Sequence, residues 1–183
     1  MRHTISVLVQ NRFGVLARIA GLFSGRGFNI DSLTVGPTQD RSQSKMTIVT
    51  SGDDRVLEQI DKQLNKLVEV VKVTDLTGSG FVARELMLIK VKTSEQNRSE
   101  IVQIANIFKA SIVHVEHDIL VIEVTGRSDK LDAFIGLMQK FGIVELARTG
   151  RVALARSEQS TEMLDVSPHY TDDQDKGGTG GEE

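Results

Sequence analysis

Strand-like and helix-like hydrophobic periods follow one another along the chain in an order that occurs twice. Thr4 to Gln10 alternates apolar and polar side chains, the period of a half-buried strand. Val15, Leu16, Ile19, Leu22 and Phe23 then recur at the three- and four-residue spacing of one helix face. Gly25-Arg26-Gly27 supplies a stop for that helix. Phe28 to Val35 reads as a second strand closed by Gly36-Pro37, and Lys45 to Thr50 as a third. Ser51-Gly52-Asp53-Asp54 opens a second helix, with Val56, Leu57, Ile60, Leu64 and Leu67 on its apolar side, and Glu69 to Thr74 ends the unit.

The second copy runs in the same order. Glu85 to Lys92 is a strand, and Ile101, Ile104, Ala105 and Phe108 stripe a helix. Ser111 to His117 and Ile119 to Thr125 form two strands meeting at Asp118. Leu131, Phe134, Ile135 and Met138 stripe another helix before the strand Ile143 to Arg148. Thr77-Gly78-Ser79-Gly80, a cluster of turn formers, separates the copies. Each copy is β-α-β-β-α-β, the order of a four-stranded antiparallel sheet with both helices on one face. The expected fold is therefore α+β, two tandem ferredoxin-like domains: residues 1–76, a linker at 77–83, and residues 84–156. The face without helices must be half polar or covered by a partner. Units of this size hold modest cores, and pairing of edge strands between two copies would add buried area, so a homodimer is expected.

Charge alters this picture only at the far end. Residues 157–183 carry eight acids and one base, a net −7, whereas residues 1–156 carry 21 bases and 17 acids. The Gly-rich acidic stretch buries too little to order itself and reads as a disordered tail. The scattered surplus of +4 upstream predicts no nucleic-acid surface, and the strands KMTIVT and EVVKVT lack the aromatics on which RNA bases stack. No cysteine is present, which excludes disulfides, thiolate nucleophiles and Cys-ligated metals. No apolar run approaches the roughly 18 residues that span a bilayer. The first residues read directly as a strand rather than a leader, and the expected location is the cytoplasm.

Catalytic patterns are missing. His114 and His117, three apart in a strand, would point to opposite faces and read as ordinary sheet histidines, so no metal site is expected. Asp53-Asp54 precedes a helix and reads as a cap, while Asp31 and Glu123 have no evident partner. The serines have no histidine placed to activate them, and Gly25-Arg26-Gly27 follows a helix where a dinucleotide loop would precede one. An acylphosphatase-like enzyme would need a Gly-rich anion loop that Asn11-Arg12 only imitates. One loop does stand out, Asn11-Arg12-Phe13-Gly14-Val15-Leu16, between the first strand and the first helix. The free N–H groups of that helix can receive a carboxylate, Asn11 can pair with a zwitterion, and Gly14 lets a ligand approach the backbone. Asn11 as a plain turn or cap residue is the alternative reading of the same spacing. Asn29 has a similar alternative, as a residue entering the second strand.

The stretch NRFGVLARIAGLFSGRGFNIDSLTVGPT with SKMTIVTSGDDRVLEQIDKQLNKLVEVVKV resembles the ACT domain of the small regulatory subunit of acetohydroxyacid (acetolactate) synthase. RELMLIKV, SDKLDAF and IVELARTG extend the resemblance through residue 156. It implies a non-catalytic subunit with no cofactor of its own. Such a subunit activates a catalytic subunit that uses thiamine diphosphate, Mg and FAD. It also confers feedback inhibition by a branched-chain amino acid, valine foremost, in branched-chain amino acid biosynthesis. By the same resemblance the effector lies between two ACT domains of a homodimer, where Asn11, Gly14, Val15 and Leu16 of one chain face Asn29 and Ile30 of the other. An ACT sensor serving a different enzyme is the alternative.

Overall fold

The computed structural model describes residues 1–78 and 80–156; the segment read as a disordered tail, 157–183, lies outside the described residues. The first unit contains β1 (Arg2–Gln10), α1 (Val15–Ser24), β2 (Ser32–Pro37), β3 (Gln43–Ser51), α2 (Asp54–Leu64) and β4 (Val70–Asp75). Its sheet has the order β2-β3-β1-β4 and is antiparallel throughout. The register sets Ile5 opposite Ile48 and Val7 opposite Met46, so one sheet face is apolar. Ile19 and Phe23 of α1 and Ile60 and Leu64 of α2 close over that face to form the first core. Asp53 starts α2 as expected: its extended backbone aims the carboxylate back to accept from the Val56 N–H at 2.9 Å.

The second unit repeats the plan with β5 (Phe81–Lys92), α3 (Arg98–Ile107), β6 (Ser111–Val115), β7 (Ile119–Gly126), α4 (Ser128–Met138) and β8 (Ile143–Arg148). Its strand order is β6-β7-β5-β8. Met87, Ile89 and Val91 meet Ile101, Leu131, Phe134 and Met138 in a second, separate core. The fold is the expected α+β pair of ferredoxin-like units.

Three expectations are corrected. The second strand begins at Ser32 rather than Phe28, because Phe28 turns inward to set its ring edge-on to Phe23 at 6.3 Å. The sixth strand ends at Val115, so His117 lies in a turn whose carbonyls, with that of Glu116, accept from the Arg98 guanidinium; the opposite-face account of the two histidines therefore fails. A ninth strand, β9 (Val152–Ala155), follows β8 and was not anticipated. It pairs with Phe81–Arg84, four residues that lengthen β5 into the stretch read as linker.

That ninth strand decides what covers the open face of the first sheet. Thr4, Ser6, Thr47 and Val49 point away from the helices, yet all are buried. The β5/β9 ribbon lies over them: the Ala153 N–H donates to Thr47 Oγ1 at 3.4 Å, and Arg151 donates to Thr4 Oγ1 at 3.0 Å. The face that needed a partner finds it within the same chain.

Candidate functional site

The candidate site begins where β1 hands over to α1. The Asn11 N–H donates to the Ser42 carbonyl at 2.6 Å, and its side-chain amide donates to the Arg41 carbonyl at 3.0 Å, tying the loop to the β2–β3 connection. Gly14 takes φ 81°, the left-handed region that favours glycine, and occupies the helix N-cap. It brings no capping side chain, and no acid sits in the first turn. The Val15 N–H donates to the Arg12 carbonyl at 3.4 Å, and the positive dipole character of this helix end thus has no first-turn acid or capping side chain to oppose it. Val15 anchors the start of the helix in the core while Leu16 stays exposed beside it. Asn11 is therefore not the cap of this helix.

Asn29 and Ile30 sit beyond the other end of α1. The helix whose two ends they flank is ten residues and about 15 Å long. Ile30 is half-buried against the first core, and the Asn29 carbonyl accepts from Thr50 Oγ1 at 2.6 Å. The Asn29 side-chain amide donates to Asp31 at 2.7 Å. Asp31, expected to be alone, also accepts from Ser51 Oγ at 2.6 Å. One chain thus brings Asn11, Gly14, Val15 and Leu16 together and Asn29 and Ile30 together, but not the two groups with each other. Each asparagine donates a side-chain N–H inside the chain, and the Oδ1 of each is by its chemistry an acceptor.

A second constellation was missed by sequence reading. Arg151 joins the two units through backbone and side chain alike. Its N–H donates to Ser32 Oγ at 3.0 Å and its carbonyl accepts from Thr34 Oγ1 at 2.7 Å, both on β2. Its guanidinium donates to Ser128 Oγ at 3.2 Å at the start of α4 and lies 3.8 Å from the buried Glu85. Glu85 in turn accepts from Arg148 at 2.7 Å, and Arg148 also reaches Asp132 at 2.7 Å. Burial opposes the Arg148 charge, but the Asp132 and Glu85 carboxylates outweigh it and raise its pKa. A cavity of about 300 Å³ opens beside this cluster, lined in part by Arg84, Arg127 and Arg156. Gly150, at φ 82°, was the one signal in the sequence, since it marks a turn before Arg151.

Among the described residues no group of three or more His, Asp or Glu side chains converges on a possible metal position. His114 pairs with Glu116 at 2.9 Å on the surface. No described helix is long and apolar enough to cross a membrane.

Comparison with known proteins places the chain in a family. The model for an AHAS small subunit-like ACT domain matches residues 5–72, and that for the small subunit of acetolactate synthase matches residues 84–157. A protein of Archaeoglobus fulgidus named "Probable acetolactate synthase small subunit" is 58% identical over 87% of this chain and 99% of its own. The acetolactate synthase small subunit of Mycobacterium bovis is 48% identical over 84% of this chain and 92% of its own. The crystal structure of the acetolactate synthase small subunit from Thermotoga maritima superposes with a TM-score of 0.80 at 43% identity, covering 86% of this chain and 98% of that one.

Proposed function

Since this chain belongs to the acetolactate synthase small-subunit family, we propose that it is a non-catalytic regulatory subunit. It activates the thiamine-diphosphate-dependent catalytic subunit, which carries the Mg and FAD as well, and makes that subunit sensitive to a branched-chain amino acid, valine foremost. The observation that carries the effector reading is the amino end of α1, which has no side-chain cap and has Asn11 beside it, with Asn29 at the opposite end of the same helix. A free amino acid needs an anion-binding pole and an ammonium-binding pole. First-turn N–H groups supply the first and the asparagine oxygens the second. Leu16 and Ile30 offer a branched side chain apolar contact.

The two half-sites sit at opposite ends of α1, so they meet only between two copies. β2 is an outer strand of its sheet, with unpaired backbone groups on one side. A two-fold axis that pairs β2 antiparallel to its counterpart carries the amino end of one α1 to Asn29 and Ile30 of the other chain. An occupied seam favours one relative setting of the two chains. The change travels through Ile30 into β2, and from Ser32 and Thr34 through Arg151 to the start of α4. Couplings of this kind amount to about 1–3 kcal/mol.

Calorimetric titration of the full chain with valine, leucine and isoleucine, alone and with the catalytic subunit, tests this function. Saturable heat from at least one of the three is expected, and Gly14→Asp, which sets a carboxylate against the ligand's own, is expected to abolish it while activation persists. An absence of heat from all three, in both settings, overturns the effector reading.

A further inference from the structure

The β5/β9 ribbon has two faces of opposite character. Ala83 and Ala153 turn toward the first sheet, and Ala153 is buried there. On the outward face Val82 pairs with Leu154 and Arg84 with Val152. The three apolar side chains are 43%, 57% and 54% exposed for Val82, Leu154 and Val152, and form one contiguous strip. Isolated exposed apolar residues are ordinary, but three adjoining on a two-stranded ribbon form a patch that favours a partner. Arg84 stands at one end of this strip, and Arg156, which follows β9, stands at the other. Among the described residues the Arg84 guanidinium donates to the neighbouring Ala83 carbonyl, and Arg84 and Arg156 both line the cavity beside Glu85 and Arg151.

Immediately beyond Arg156 the sequence supplies the complement. Residues 162–166 read Glu162-Met163-Leu164-Asp165-Val166, three apolar residues interleaved with two acids, within a segment of net charge −7. We infer that Glu162–Val166 docks on the outward face of its own β5/β9 ribbon, apolar residues on Val82, Val152 and Leu154 and acids toward Arg84 and Arg156. Reach permits it. Six residues from Arg156 to Glu162 span up to about 20 Å, while the four-pair ribbon is only about 13 Å long. Charge favours it, because the ribbon face is basic and the segment is strongly acidic. The match to the family model stops at residue 157, so the occupant lies outside it and the inference is independent of the effector reading above.

The chain contains no cysteine, so a single spin label at Ser167→Cys reports on the full-length protein. Selective loss of the Val82, Val152 and Leu154 amide signals is expected, reversed when the label is reduced. Arg84→Glu with Arg156→Glu should restore those signals, and adding Glu162→Lys with Asp165→Lys should remove them again, which separates docking from misfolding. Uniform or absent broadening overturns the inference. So does broadening seen only on unlabelled chains mixed with labelled ones, which would mean docking between copies. Docking that survives both charge reversals unchanged overturns the charge pairing.

Discussion

Gly14 combines a backbone angle that other residues adopt only with strain and a Cβ direction with nothing within 4 Å. Alanine there would meet no clash, so its cost is conformational alone, about 1–2 kcal/mol. Chemical denaturation of Gly14→Ala should show that loss with an unchanged slope. Asp53 gives a second clean case. Its carboxylate caps the amino end of α2, and Asp53→Ala should cost about 1 kcal/mol in the same measurement. Both residues were legible in the sequence, Gly14 from its place between strand and helix and Asp53 from the turn before an apolar stripe. Arg151 was not. Its partners Thr4, Ser32 and Ser128 are small polar residues far away in sequence, and no periodicity links them to it.

At the level of elements, long amphipathic segments announced themselves, while β9 did not. Four residues, Val152-Ala153-Leu154-Ala155, are too few to display a period, and they form a strand only because β5 and the first sheet receive them. For the same reason, the alternation in β1 and β3 revealed that one face was polar but not that it was buried. The paired strands also set a pH dependence. Lys45 on β3 and Lys72 on β4 flank Leu8 from either side. Burial, and then the Lys72 charge, lowers the Lys45 pKa below its ordinary 10.5. The folded state therefore releases this proton before the unfolded state does. Stability from this group is lowest below the folded pKa and rises with pH through the interval up to 10.5. Lys72→Gln should flatten that alkaline rise in denaturation midpoints without removing it, because the part due to burial remains.

For the whole molecule, the outer strand β2 carries Val35 exposed on the helix side of the sheet edge. If that edge is where two copies meet, light scattering of the full chain returns twice 20.1 kDa, and Val35→Asp returns the single-chain mass together with loss of effector heat. Arg151→Ala tests the next step. It should leave effector binding by the full chain intact while weakening the inhibition of the catalytic subunit, whereas a purely structural role would diminish both together.

The covering of the first sheet by β9 has a further consequence for how the protein is made. Thr47 and the backbone amide of Ala153 that meets it are 106 residues apart. At about 5–20 residues per second, ribosomes need on the order of 5–20 s to synthesise that interval. Throughout it the nascent amino-terminal sheet is on its own, its threonine-lined surface wet and open to any strand that passes. Chaperone engagement and mispairing between neighbouring polysomal chains should therefore concentrate in that window and end when β9 emerges.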